Sequence, residues 1–462
     1  GYGTQKKVNV TGAVAMVDSK AIASRPVANA SQALQGVVPG LNLTVGNSGG
    51  SLDGEMNINI RGTGTIGDGS SSSPLILIDG IEGNLNTVNP ADIESVSVLK
   101  DAASASIYGA RASFGVILVT TKSGKSGKTN VSYSGNARFN NAIGLPDVMD
   151  SYKFAQYFNR ASANRGGGQI FSDAVLDRIQ KYQEGTFKDT TVDNGSGIWQ
   201  KWSNANGNTD WMDEFFGGWA VSQEHNISVN GGNEKTQFVM SGSFLDQNGL
   251  IKHGSDDFQR YTMNAKITTA VTDWFKITLN TKWTREDFAR PTYLTGNFFH
   301  NLARKWPVHP AYDPNGFPMD EGEVEQMENG GLQNSQKDFF TNQLHLVFEP
   351  IKNWRINLEG SVRTTTQYQH WEVLPVYAYD VEGNPYYTVW DMGYGSYSAG
   401  ASRVNEYSWK ENYYTTNIYT DYFKNFDNGH YFKVMAGFNA ELYKTRSIEG
   451  QKNTLLSPDV PT

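Results

Sequence analysis

The sequence contains no cysteine, and no stretch of it approaches the roughly 20 consecutive apolar residues that a membrane-spanning helix needs. The first absence excludes disulfides, thiolate metal sites and a cysteine nucleophile. The second, together with a mean hydropathy of −0.50, excludes a helical membrane protein. The chain has 39 lysines and arginines but 47 aspartates and glutamates, so it also lacks the excess of positive charge that is typical of a nucleic-acid binder.

Patterns typical of an enzyme, a metal centre or a cofactor site are missing as well. The seven histidines never fall at the i, i+4 spacing of a zinc-binding helix. Residues 122–129 resemble a phosphate loop, but Val119 and Lys122 stand where its first glycine is required. Segments 193–197 and 313–316 have the composition of calcium loops without their register, so turns are expected there. The sequence therefore predicts no catalysis, no cofactor and no metal.

Glycine and aromatic residues are abundant, with 48 glycines and 12% Phe, Trp and Tyr. From about residue 130 onward, apolar and polar residues alternate. In residues 260–267, the tyrosine, methionine, alanine and isoleucine share one face, while the arginine, threonine, asparagine and lysine share the other. Residues 275–283, 354–363 and 432–442 repeat this pattern. A period of two predicts long strands with one apolar and one polar face, either in a transmembrane barrel or in a soluble sandwich or propeller.

The connections between these strands favour the barrel. Tight turns are expected near 231–234, 271–273, 350–353 and 427–429, whereas the other connections, at 141–222, 289–338 and 370–408, are long, with a shorter one at 247–256. Outer-membrane barrels combine short periplasmic turns with long extracellular loops. Compact soluble domains rarely contain loops beyond about 12–15 residues. About nine strands are expected by Ile448, and since an odd number cannot close a bacterial single-chain barrel, we expect a longer protein.

Residues 1–125 differ from the rest, with short strands, small helical turns and glycine-rich loops. Segment 74–124 is predicted to run strand, turn, capped helical turn, strand, small-residue helix, glycine, strand. Asn29 and Asn89 are expected to cap helical turns, because asparagine accepts hydrogen bonds from first-turn amides. We predict two domains, a compact α+β domain at 1–125 and the first part of a transmembrane barrel at 126–462.

A series of short motifs runs through the first domain. In order they are Gly1–Lys7, Val10–Val14, Ile60–Gly62, Ile78–Gly80, Asn89–Ser95, Val98–Ala102, Ile107–Arg111 and Gly115–Lys122. Together they resemble the plug of the SusC/RagA-like TonB-dependent outer-membrane transporters of Bacteroidetes. One departure is Phe114, where that family usually has asparagine. The order and number of the motifs make the resemblance highly specific.

The resemblance implies an α+β plug domain inside a transmembrane antiparallel β-barrel of about 22 strands, multi-pass in the outer membrane of a Gram-negative cell. It implies import of oligosaccharides without enzymatic turnover. The implied partners are a SusD-like surface lipoprotein, the TonB–ExbB–ExbD complex, outer-membrane lipid and, in dimers of SusC–SusD pairs, a second copy. A TonB box is expected upstream of Gly1. The alternatives are import of oligopeptides, of a siderophore or of cobalamin, a non-transporting adhesin barrel, and a soluble sugar-binding β-protein.

Charged and glycine residues of the plug motifs are candidates for holding and opening the plug. They are Arg61, Gly62, Asp79, Gly80, Lys100, Asp101, Tyr108, Gly109 and Arg111. The cations among them, with Lys122, are expected to pair with Asp79, Asp101 or carboxylates of the inner barrel wall. The alternative is that Arg61 and Asp79 serve only the folding of the plug.

Substrate contacts are expected in loops, where binding residues concentrate. Asp68 is one candidate, because it lies in the glycine-rich loop 62–73. Trp199, Trp202, Trp211 and Trp219 are others, because flat aromatic faces beside asparagine can stack on sugar rings. The alternative for these tryptophans is an interfacial aromatic girdle or packing within the loop.

Overall fold

Two bodies of different construction make up the protein: a small α+β domain, here called the plug, and a nine-stranded antiparallel sheet, here called the wall. The computed structural model describes residues 14–23, 25, 27–46, 51–60, 62, 73–101, 105–388, 390–391, 396–397, 401–426 and 430–455. The motifs before Val14 therefore lie outside the described residues, as do Arg61 and Asp68.

The plug combines a five-stranded sheet, a two-stranded sheet and short helical segments. Its strands are β1 Val14–Asp18, β2 Leu41–Val45, β3 Met56–Ile60, β4 Leu75–Ile78, β5 Ile81–Glu82, β6 Ile93–Leu99 and β7 Val116–Thr121. Its helices are α1 Ser19–Ala23 and α2 Ala30–Leu34, with 3₁₀ turns at Leu85–Thr87, Pro90–Asp92 and Ser106–Ala112. The large sheet has the order β1-β6-β7-β4-β5, and β2 pairs with β3. The element order predicted for 74–124 is confirmed.

Local sequence signals explain the plug's short helical segments. The Asn29 side chain accepts from the amide of Gln32 at the start of α2, and Asn89 accepts from the amide of Ala91 with Pro90 in the first position. Both caps agree with the prediction, and each satisfies a backbone donor that the short helix leaves free. Apolar residues of α2, β6 and β7 are fully buried together, so the plug has its own hydrophobic core.

The wall consists of long strands joined alternately by short and long connections. The strands are β8 Gly127–Asn140, β9 Ala220–Gly232, β10 Thr236–Asn248, β11 Asp257–Thr272, β12 Phe275–Pro291, β13 Leu332–Ile351, β14 Trp354–Val373, β19 Arg403–Asn425 and β20 Tyr431–Asn453. Each pairs antiparallel with its neighbours in chain order. Two small hairpins, β15 Tyr377–Tyr379 with β16 Pro385–Tyr387 and β17 Trp390–Asp391 with β18 Ser396–Tyr397, lie between β14 and β19. The prediction of about nine strands is confirmed.

The two faces of the wall differ as the alternation predicted. Met263 and Phe438 point away from the plug and are each 63% exposed. On the opposite face, Arg260 and Asn280 are buried against the plug. Since successive side chains of a strand point to opposite sides, one face meets lipid and the other meets the plug.

The long connections fold into a layer at one end of the wall. They contain the helices α3 Ser151–Asn164, α4 Asp173–Gln183, α5 Trp211–Phe216, α6 Gly296–Ala303 and α7 Val324–Asn329. Residues 141–222, predicted to be a loop, contain three helices, whose N-caps are Asp150, Ser172 and Asp210. Three connections contribute to one apolar core through Trp211, Phe298 and Val376.

Across the described ranges, each helix falls short of the length or the apolar character needed to cross a membrane.

We predict that Gly115→Ala destabilises the plug by more than Gly36→Ala does. Both glycines have positive φ, 93° and 72°, which costs an alanine about 1 kcal/mol. An added Cβ at Gly115 would also lie 2.8 Å from the carbonyl oxygen of Leu99, whereas Gly36 has open space around it. Hydrogen exchange of plug amides in the full-length protein measures the difference, and equal effects would contradict the crowding at Gly115.

Candidate functional site

The contact between plug and wall centres on the turn between β4 and β5. Asp79 and Gly80 form this two-residue turn with φ values of 51° and 91°. Positive φ at both central positions is what a type I′ hairpin turn requires, and aspartate followed by glycine is a favoured pair for it. The turn directs the Asp79 side chain out of the plug sheet toward the wall.

Asp79 is enclosed by donors from both bodies. Its carboxylate lies 2.5 Å from Nζ of Lys282 and 3.5 Å from Nζ of Lys266, both on the wall. It also accepts from Nδ2 of Asn280 at 3.1 Å and from the Thr121 hydroxyl of the plug at 2.6 Å. The Asp79 carbonyl accepts from Gln343 at 3.1 Å. One plug residue thus joins strands β11, β12 and β13 of the wall.

The pKa values of two buried plug carboxylates are shifted in opposite directions. Burial by itself raises the pKa of Asp79, but Lys282 and Lys266 outweigh it and hold that pKa well below the usual range. Burial raises the pKa of Asp92, and this effect exceeds the opposing effects of hydrogen bonds from Ser241 and Asn264 and of the charges of Lys122 and Lys282. A lowered pKa means that the Asp79 contribution to stability is complete above the unfolded-state pKa of about 3.9 and is lost only as the pH falls through the lower native value.

A second set of ion pairs links the plug to the later wall strands. Arg111 donates to Glu441 of β20 at 2.5 and 3.0 Å and also lies 3.0 Å from Glu82 of the plug. Arg363 of β14 donates to the carbonyl oxygen of Glu82 and pairs with Glu411 at 2.7 Å. Strand β5 and the last 3₁₀ turn of the plug therefore contact charged side chains of β14 and β20.

The remaining contacts are also mainly polar. Arg260 of β11 donates to the carbonyl oxygens of Asn86, at 2.8 Å, and Ala28. Asn89 donates to Asn226 of β9 at 2.5 Å. Ala28 and Leu52 of the plug also pack against a small apolar cluster of the wall, formed by Leu245, Phe258 and Phe288.

Comparison with known proteins agrees with this architecture. Residues 6–116 match the TonB-dependent Receptor Plug Domain family. Over 311 residues the chain is 33% identical to TonB-dependent receptor P39 of Formosa agariphila, covering 66% of this chain and 26% of that protein. It is 32% identical over 295 residues to TonB-dependent receptor SusC of Bacteroides thetaiotaomicron, covering 61% and 25%.

This chain belongs to the SusC-like TonB-dependent receptors, proteins of the outer membrane. Its fold matches that of the RagAB peptide importer in the open-open state, with a TM-score of 0.80 at 23% identity, over 100% of this chain and 50% of that one. The chain spans about a quarter of the length of the curated relatives it matches.

The plug cations of this TonB-dependent receptor have separate roles. Arg111 pairs with a wall carboxylate as expected, whereas Lys100 and Lys122 donate to plug carbonyl oxygens, those of Pro39 and Ala91. Asp79 pairs with two lysines of the wall, Lys266 and Lys282. Gly62 and Gly109 have positive φ values of 98° and 66°. Tyr108 packs against the apolar cluster formed around β4 and β7. Asp101 lies in the segment that follows β6.

The four loop tryptophans of the receptor are not equivalent. Trp211 is 2% exposed in the core of the connecting layer, so it offers no face to a sugar, and that expectation was wrong. Trp219 is 67% exposed and precedes β9 on the side of outward-facing Val221, which suits a membrane-interface girdle. Trp202 is partly buried, stacked on His309 at 4.7 Å, and Trp199 is half-buried beside Asp193.

Segments considered for ions are built as turns. Oδ1 of Asp193 accepts from the amides of Gly195 and Gly197, and Oδ1 of Asp313 accepts from those of Asn315 and Phe317. Residues 122–126 connect β7 to β8. In the described part of the chain, no group of three His, Asp or Glu could hold a metal ion.

The wall residues that hold the plug were not among the predicted site residues, although the sequence contains a signal for them. Lys266, Lys282 and Arg363 all occupy the polar face of alternating strands. A charge on that face must point into the barrel, where only the plug or the lumen can neutralise it. Which plug group each of these cations contacts depends on the position and orientation of the plug relative to the wall.

We predict that Asp79→Asn and Asp92→Asn have different effects, although both exchange a buried carboxylate for an amide. Loss of the Asp79 charge leaves Lys282 and Lys266 uncompensated, which costs about 3–5 kcal/mol of plug attachment. Loss of the Asp92 charge removes a group that burial disfavours, so the change is below about 1 kcal/mol. Hydrogen exchange of β4 and β7 amides in the full-length receptor, between pH 5 and 8, measures both.

The double variant Asp79→Asn/Lys282→Met serves as the control, because it removes a charge of each sign and should recover part of the protection. Equal losses for the two single variants would contradict an attachment centred on Asp79.

Proposed function

We propose that the complete protein imports oligosaccharides across the outer membrane by a TonB-dependent mechanism, with a SusD-like lipoprotein over its extracellular mouth and no enzymatic turnover. The polar attachment of the plug is the observation that carries this proposal. When a polar interface opens, its hydrogen bonds and ion pairs are replaced by bonds to water at a small net cost in free energy. Opening a large apolar interface costs more, because it exposes apolar surface to water. A modest pull from the TonB–ExbB–ExbD complex can therefore remodel the plug while its own core remains packed.

The surface chemistry supports a hydroxyl-rich cargo. The plug-facing side of the wall carries Thr284, Thr341 and Thr365 together with asparagines, which can exchange hydrogen bonds with sugar hydroxyls. The packed layer of long connections supplies a broad surface for a lid. RagAB, which has the same fold, is named a peptide importer, so peptides form the second arm of the cargo test.

We predict that uptake needs the proton gradient. Cells that express the full-length protein with its lipoprotein partner should accumulate fluorescent oligosaccharides, and a protonophore should abolish accumulation without changing surface binding. Accumulation that survives the protonophore would overturn TonB dependence. Accumulation of fluorescent oligopeptides but not of oligosaccharides would overturn the cargo while leaving the mechanism intact.

We also predict that tying the plug to the wall blocks uptake reversibly. Asn89 and Asn226 touch across the interface, and this chain has no cysteine of its own. The variant Asn89→Cys/Asn226→Cys, bridged by a bis-methanethiosulfonate reagent, should lose uptake and regain it after reduction. Asn226→Cys alone, treated in the same way, is the control. Full uptake through the bridged protein would show that this contact does not open during transport.

A further inference from the structure

A cavity of about 300 Å³ lies between the plug and the wall, beside the β5 strand. Its plug side is formed by Glu82 and Asn84, and its wall side by inward-facing residues of β11 to β14 and β19. This volume is at the small end of ligand pockets, so the cavity suits one residue of a chain-like ligand.

Two aromatic rings line the cavity from the polar face of the wall. Phe339 of β13 and Trp409 of β19 belong to the same inward-facing rows as Thr341 and Glu411. In the part of the chain that the structure describes, the indole N–H of Trp409 has no hydrogen-bond partner. An aromatic ring on the lumen side, half-exposed and not packed into the plug core, offers a flat face for stacking.

Three cations line the cavity, and two of them have a carboxylate partner. Lys282 is paired with Asp79, and Arg363 is paired with Glu411. Lys337 also lines the cavity, with Nζ 5.4 Å from the centre of the Phe339 ring. Lys337 forms no ion pair or hydrogen bond with any described residue. Glu286 lies directly across from it on β12, and the two charges interact without forming an ion pair.

Three carboxylates also line the cavity, two with cationic partners and one with an amide partner. Glu82 is paired with Arg111, Glu411 with Arg363, and Asp92 accepts from Asn264. A ligand that enters the cavity therefore meets an unpaired ammonium, two aromatic faces and hydroxyl groups. The complementary ligand has a ring to stack, hydroxyls to bond and a negative charge.

We propose that this cavity is a subsite for one anionic sugar residue, whose carboxylate or sulfate pairs with Lys337 while its ring stacks on Trp409. This inference rests on the proposed import of oligosaccharides and narrows the cargo to acidic glycans. Charge-assisted hydrogen bonds are stronger than neutral ones, so Lys337 accounts for the preference for an anionic sugar. The aromatic rings contribute stacking contacts with the sugar ring.

Calorimetry of the purified full-length protein with its partner tests the proposal. The probes are two matched pairs: oligogalacturonate with its carboxyl-reduced form, and a sulfated carrageenan oligosaccharide with its desulfated form. The acidic member of at least one pair should bind about tenfold more tightly or better than its neutral form, less so at high salt. The pair that shows the preference identifies the anion as carboxylate or sulfate.

Variants assign that preference to the cavity. Lys337→Gln should remove the difference between the acidic and neutral members, and Trp409→Ala should weaken both members by roughly two- to tenfold. Lys410→Gln changes a lysine on the exposed side of β19 and should preserve the difference, and protease resistance of the plug verifies that each variant is folded.

Three results would overturn the subsite. They are the absence of an acidic preference in both pairs, a preference that Lys337→Gln preserves, and a preference that an acidic oligopeptide reproduces in a Lys337-dependent way. Each of them is compatible with gradient-driven uptake, so failure of the subsite is distinguishable from failure of the import mechanism.

Discussion

The geometry of the extended strand is the constraint on which this receptor depends. Side chains alternate between two faces, so a strand that shows apolar residues to lipid must show its other residues to the interior. In this wall the interior residues are threonines, asparagines, lysines, arginines and carboxylates. The same alternation therefore produces both an outer surface that suits a membrane and an inner surface that can hold a polar plug.

The plug uses that inner surface without merging its core with the wall. Its apolar residues pack within the plug, and its 3₁₀ turns and the β4–β5 turn present carbonyls and carboxylates to wall donors. Asp79 is the centre of this arrangement, because two lysines and an asparagine of the wall meet one carboxylate. Separate cores joined by polar contacts allow one body to move relative to the other while both remain folded.

The long connections form a structured layer at the end of the wall. Trp211, Phe298 and Val376 come from three different connections and share one core. His253 connects further residues of this layer through hydrogen bonds, because its ring nitrogens lie 2.9 Å from Glu214 and 2.7 Å from Glu328. Such a layer presents a fixed surface to whatever lies above the barrel. It also explains why tryptophans in these connections divide between packing and exposure.

The sequence alone determined the elements whose signals are local: the capped turns at Asn29 and Asn89, the strand at 75–78, the plug motifs and the two faces of the wall. Each depends on residues a few positions apart. It could not determine which lysine meets Asp79, that Trp211 is core, or that Trp409 and Lys337 line one cavity. Those facts depend on strands up to a few hundred residues apart in sequence, and only the packing of the plug against the wall brings them together.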